Sequence, residues 1–178
     1  ALFYASRDRR QEHPERHLKT FTGILQADAY GGYNPLFKAD RDPGPLTQAL
    51  CWAHLRRKFF VLADIATNAK RGSKAAPISP MALEAVKRID ALFDIEREIN
   101  GLTAHERLER RRKDSLPLVG ELHRWLQTER AKLSRSSPVA EPIDYMLKRW
   151  NGFVSFLEDG RICLTNNAAE RALRGFAL

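Results

Sequence analysis

Gly23-Ile24-Leu25-Gln26-Ala27-Asp28-Ala29-Tyr30 is a short apolar run that ends on a carboxylate, and its surroundings decide the fold. Just upstream, His13-Pro14-Glu15-Arg16 carries a proline and an acid where a helix should start, and Gly23 supplies the stop after it. Further back, Leu2 to Ser6 is apolar and aromatic without helical period, so it reads as a short buried strand. Strand, short helix and strand in so little chain predict a parallel βαβ unit with a right-handed crossover. Ligands gather at the carboxyl ends of strands in open α/β sheets, which is where Asp28 stands.

Downstream, Gly31-Gly32-Tyr33-Asn34-Pro35 and Pro43-Gly44-Pro45 are loop and turn signals. Thr47 to Ala53 reads as a third strand, followed by a helix from about His54 to Asn68. Leu55, Phe59, Leu62, Ala63 and Ala66 share one face of that helix. The polar, breaker-rich stretch from Lys70 to Pro77 then marks a change of character.

From Met81 to Leu157 the period is helical throughout. It carries three apolar stripes: Leu83, Val86, Ile89, Phe93 and Ile99; then Leu116, Val119, Leu122, Trp125, Leu126 and Leu133; then Ile143, Leu147, Trp150, Phe153, Val154 and Leu157. Breaks are expected at Asn100-Gly101, at Ser115-Leu116-Pro117 and between Ser134 and Pro142. The chain thus divides into an α/β part at 1–70 carrying Asp28, an all-helical insertion at 71–158, and a return to the first part at 159–178.

The composition of the 178 residues is that of a globular protein: 43% hydrophobic and 29% charged. The charge balance is less ordinary. Thirty lysines and arginines against 22 aspartates and glutamates give +8, which favours a polyanionic partner, nucleic acid above all. The two cysteines, Cys51 and Cys163, form no CxxC motif and read as reduced, buried thiols. No apolar run approaches the roughly 20 residues that span a bilayer, and there is no signal peptide, so a cytoplasmic setting is expected. An apolar start without Met and an end on Gly175-Phe176-Ala177-Leu178 have the pattern of a piece of a longer protein.

The second carboxylate that matters lies in Asp159-Gly160-Arg161-Ile162-Cys163-Leu164-Thr165-Asn166-Asn167-Ala168-Ala169-Glu170-Arg171-Ala172-Leu173-Arg174. A glycine turn, a short apolar run and a Thr-Asn-Asn cap lead into a helix with Glu170 in its first turn. A strand-end aspartate and a distant glutamate can hold divalent metals for phosphoryl transfer. Each has a blander reading. Glu170 can complete a capping box from Asn167 or simply favour the helix dipole, worth about 0.3–1 kcal/mol. Asp28 can start a turn through its side chain.

Cys51-Trp52-Ala53-His54-Leu55-Arg56-Arg57-Lys58 puts three cations in the first turn of a helix, against the dipole, and so points to an anionic partner or to plain solvation. His54 can contact phosphate or cap its helix. The Arg107 to Lys113 run reads as a solvated helix face, with contact to a DNA backbone as the alternative. Phosphate loops, nucleophile elbows and paired Cys/His zinc motifs are absent.

Leu25 to Asn34, Cys51 to Phe59, Asp159-Gly160-Arg161 and Asn166 to Arg171, in that order, resemble the central catalytic region of bacterial insertion-sequence-66 family transposases. The resemblance implies an RNase H-like α/β fold, here incomplete with three of five sheet strands, and a large all-helical insertion before the Glu170 helix. It implies a DDE acidic triad in which Asp28 is the second acid and Glu170 the third, with the first lying before Ala1. Two Mg²⁺ ions, or Mn²⁺ in their place, are the implied cofactors. Insertion-sequence ends and target DNA are the implied partners, held in a homodimer within the nucleoid. His54, Arg56, Arg57, Lys58, Arg171 and Arg174 become the candidate DNA contacts. With its first acid elsewhere, this stretch alone is expected to be inactive. The competing reading is a non-catalytic DNA-binding or assembly module of the same mobile element; a third is a nuclease of the same fold that cuts without joining.

Overall fold

Parallel pairing of Ile24–Ala27 (β1) with Thr47–Leu50 (β2) makes the sheet of this computed structural model, which describes residues 4, 6–64, 70 and 78–173. The register sets Ile24 against Thr47 and Ala27 against Leu50, and backbone bonds from Thr47 to Gly23 (2.8 Å) and from Cys51 to Ala27 (3.2 Å) extend the ladder at both ends. The helix before β1 forms at Glu12–His17 (α1). A 3₁₀ segment, Gly31–Phe37, lies in the connection between the two strands. The expected strand at Leu2 to Ser6 falls largely outside the described residues. Among the described residues, the parallel partner of β1 is the later strand.

The third expected strand is shorter than its sequence suggests. It ends at Leu50, and Trp52–Ala63 (α2) begins at once from an extended Cys51. Trp52 belongs to the helix because its ring is wanted below the sheet: the indole N–H donates to the Phe153 carbonyl (2.9 Å), and the ring meets Phe153 and Phe156 edge-on. Leu55, Phe59 and Ala63 are buried along the expected face and Leu62 is half-buried. Ala66, Asn68 and the link at 71–77 lie outside the described residues.

The helical section consists of Pro80–Glu98 (α3), Ala104–Arg110 (α4), Leu116–Lys132 (α5), Ala140–Leu147 (α6) and Trp150–Val154 (α7). Ser79 caps α3 by accepting from the Ala82 amide, with Pro80 at the first position where a missing N–H costs nothing. Thr103 and Glu106 close a reciprocal capping box on α4 after the turn at Asn100-Gly101. The break expected at Ser115-Leu116-Pro117 does not occur. Helical backbone runs from α4 into α5 through a π segment, Arg111–Ser115. A widened turn accommodates Pro117, which can neither donate its amide nor sit comfortably over the carbonyl four residues back.

A continuous hydrophobic core joins the two sections. It contains Ala49 and Leu50 of β2, Trp52, Leu55 and Phe59 of α2, Ile89 of α3, Leu122 and Leu126 of α5, Ile143 and Met146 of α6, and Ile162 and Leu164 beyond the last of these helices. Full burial of side chains this size contributes about 1.5–3 kcal/mol each. Gly152 lets α7 approach the sheet, since a Cβ there would meet Gln48 and Leu50 side chains at 2.9 Å.

Candidate functional site

Asp28 leaves the carboxyl end of β1 into an open cavity of about 460 Å³ lined by Asp28, Ala29, His54, Arg57, Lys58, Val61 and Tyr145. The carboxylate is exposed and has no hydrogen-bond or ion-pair partner among the described residues. The turn that follows is strained: Ala29 has φ 50, a left-handed conformation that costs a non-glycine residue roughly 1–2 kcal/mol. Such strain is often stored beside functional groups. Two phenols feel the Asp28 charge. Burial pushes the Tyr33 hydroxyl up, and Asp28 pushes it further; burial also raises Tyr145, with Arg149 pulling back and Asp28 adding to the rise.

Helix α2 brings its cations to different ends. Arg56 turns toward α3 and grips Asp90 with two bonds (2.5 and 2.9 Å), which holds its guanidinium above the ordinary range, and it stacks over Phe60. Lys58 reaches Glu141 on α6 (3.0 Å) and lies over the Tyr145 ring. Arg57 is exposed, faces the Asp28 cavity and has no ion-pair partner among the described residues. Of the three candidate cations here, Arg57 is the one left free for a ligand.

Glu170 is delivered by the chain after α7. Asp159 receives the Arg161 amide and guanidinium, which lower its carboxyl below the usual range. Gly160 is packed so tightly on the start of α4 that a Cβ would fall 1.7 Å from the Ala104 carbonyl oxygen. Gln26 of β1 then donates to the Cys163 carbonyl, and the Trp52 amide donates to Leu164 (2.8 Å). The last helix, Asn167–Leu173 (α8), follows, its Ala169 and Glu170 amides bonding back to the Asn166 carbonyl. The Glu170 side chain goes to His54 rather than to a cap: His54 Nε2 stands 3.4 Å from Glu170 Oε1. Arg171 is exposed, and Arg174 lies outside the described residues.

His54 thus lines the Asp28 cavity, and its Nε2 stands 3.4 Å from Glu170 Oε1. The Nδ1 of His54 and the Oδ1 of Asn166 are buried without hydrogen-bond partners among the described residues. Carboxylate oxygens are the hard donors that a hard divalent cation takes. Among the described residues, no group of three or more histidine, cysteine, aspartate or glutamate side chains is arranged to hold a metal ion.

Two readings of the sequence need correction. The Arg107 to Lys113 run is not simply a solvated face. Arg111 is completely buried, and Arg107 is mostly so; both bond to Glu96 and to the Ile162 carbonyl. Phase was the one signal the sequence offered. Arg111 and Ser115 stand four apart, in step with Val119 and Leu122, so they fall on the buried stripe. Cys51 is buried as expected, but Cys163 is exposed, because its backbone is used to anchor the segment and its side chain is turned outward.

The model of the family described as "Transposase IS66 family" matches residues 1–178. Three proteins of Sinorhizobium fredii (strain NBRC 101917 / NGR234) are similar: uncharacterized protein y4hP, 62% identical over all of this chain; y4jD, 35% identical over 99% of it; and y4qI, 37% identical over 89%. The aligned region is 32%, 32% and 28% of their respective lengths, so the chain spans about a third of these relatives. No solved structure matches the chain.

Proposed function

This chain belongs to the IS66 family of transposases, and from that premise we propose that it supplies two acids of a metal-dependent site for phosphodiester cleavage and strand transfer. The observation that supports the reading is that His54, which stands 3.4 Å from Glu170, also lines the cavity that Asp28 enters. In this reading β1 and β2 are part of an RNase H-like sheet, residues 71–158 are a helical insertion, and 159–178 return to the catalytic part. Asp28 and Glu170 would hold two magnesium ions, or manganese in their place. Bound there, the ions would activate a water or a DNA 3′-hydroxyl and neutralise the departing oxygen. The triad also needs an acid from elsewhere in the full-length protein, without which this stretch is inactive.

The chain's own side chains have separable tasks. His54 holds the Glu170 carboxylate toward the cavity. Arg57 gives the cavity a positive rim suited to a phosphate, with Lys58 held beside it by Glu141 and Arg171 further along the path. Arg56 acts on the fold, through Asp90, rather than on DNA. The ends of the element and the target DNA are the substrates, and two copies of the protein bring the two ends together.

The deciding experiment uses the full-length protein, Mg²⁺ and DNA carrying the element's ends. Asp28→Asn and Glu170→Gln are each expected to reduce strand cleavage by at least about 100-fold, a loss of roughly 2.7 kcal/mol in transition-state stabilisation. DNA binding should stay within about twofold of wild type. Undiminished cleavage in either variant would refute the catalytic reading and leave a DNA-binding module.

A further inference from the structure

We propose that Arg111, on the helical section, is the positioning residue for Glu170, a step that rests on the catalytic reading above. The guanidinium is fully buried and all its donor capacity is used. Nε and Nη2 take the two carboxylate oxygens of Glu96 at 2.6 and 2.7 Å. Nη1 reaches the carbonyls of Phe156 (3.0 Å) and Asp159 (3.4 Å), and Nη2 that of Ile162 (2.8 Å). A guanidinium offers five N–H groups in a rigid fork, and five acceptors meet it here.

Three of those acceptors belong to the segment that carries the chain from α7 to α8. Arg111 therefore fixes the path of residues 156–162 from inside, where no side chain of that segment is needed. The same stretch is pinned from outside by Gly160 against Ala104, and Arg107 adds a second, weaker bond to the Ile162 carbonyl (3.3 Å). Immediately beyond, Leu164 is latched to Trp52 at the start of the helix that bears His54. Geometry set at Arg111 is thus handed on, through the bonded carbonyls of Ile162, Cys163, Leu164 and Asn166, to the contact between Glu170 and His54. The helical section in this arrangement is the frame on which the distant acid is mounted.

The test uses the full-length protein and the paired change Arg111→Met with Glu96→Met, which removes both charges of the buried pair and leaves the partly accessible Arg107 bonded to the Ile162 carbonyl. Backbone hydrogen exchange without metal is the primary measurement. The Trp52 amide, bonded to Leu164, and the Ala169 and Glu170 amides are expected to exchange about tenfold faster, while amides within α3 and α5 keep wild-type protection. Cleavage in Mg²⁺ should fall about tenfold with DNA binding unchanged. Should the double variant be poorly folded, Arg107→Met, which removes the weaker bonds to Ile162 and Glu96 and leaves the Arg111–Glu96 pair in place, is expected to show the same regional pattern at smaller size. Wild-type exchange at Trp52 and Glu170, or equal acceleration throughout the protein, overturns the proposal. Full cleavage by Asp28→Asn or Glu170→Gln sinks the catalytic reading instead, and the exchange pattern still decides whether Arg111 sets the path.

Discussion

His54 Nε2 and Glu170 Oε1 stand 3.4 Å apart although one lies on the helix after β2 and the other beyond the whole helical section. The pair is partly exposed, with 30% of the histidine and 45% of the glutamate side chain accessible, so it contributes little to stability. His54→Ala is expected to change the melting temperature by less than about 2 °C. Mg²⁺-dependent cleavage by the full-length protein should nevertheless fall at least about tenfold, because Glu170 loses its orientation. Calorimetry and a cleavage assay on one preparation check both halves.

The arginines at 56 and 57 should behave oppositely. Arg57→Ala is expected to leave stability unchanged and to lower the slope of log affinity against log salt by roughly one. Arg56→Ala removes the partner of Asp90 and should cost about 1 kcal/mol in unfolding free energy with the salt slope unaltered. Denaturant titration and DNA binding at several salt concentrations separate the two, and a reversed pattern would reassign which residue faces DNA.

Gly160 admits no side chain. Gly160→Ala should destabilise the protein by roughly 1–3 kcal/mol through forced separation of the loop from Ala104. Gly120, whose added Cβ would meet nothing within 4 Å, is the control: Gly120→Ala should be neutral or slightly stabilising in its helix. Paired thermal melts give the comparison directly.

Acid should loosen the same loop. Asp159 has its carboxyl lowered first by the Arg161 side chain, and Asp144 is lowered first by Arg130. A carboxyl lowered in the folded state adds stability that is complete above its unfolded value, near 3.8, and is lost as pH falls through the folded one. The loss therefore lies below about pH 4, and raising the pH from 6 to 8 should not change these two contributions. In Asp159→Asn the decline in stability between pH 4 and pH 2 should be shallower than in wild type; an identical decline means the Arg161 pairing has no energetic consequence.

Much of the site was legible in the residues themselves, because it depends on local rules. Ile24–Ala27 ending on Asp28, the cations of α2 and the first-turn Glu170 are each readable within a few positions. Strand ends and helix starts were less so. Trp52 looks like strand continuation until its indole finds Phe153, a partner 101 positions away. Lys58 and Arg56 looked equally available for DNA, and only tertiary packing assigns them to Glu141 and Asp90. Arg111 was hardest: a charge in a run of charges, distinguished only by its phase with Val119 and Leu122. Long-range polar bonds have no sequence period, so the residue that organises the loop was hidden among those that do not.

The π segment at Arg111–Ser115 has a further consequence for how this sequence can change. Each residue turns a helix by about 100°, and the wide turn takes up one residue more than an ordinary α turn would. Deleting one residue there would return the turn to α geometry and keep Arg111 on the side of Val119, Leu122 and Leu126, whereas inserting one would swing either the guanidinium or the stripe toward water. Descendants of this chain can exchange side chains along that rod, or shorten it at this turn, but not lengthen it.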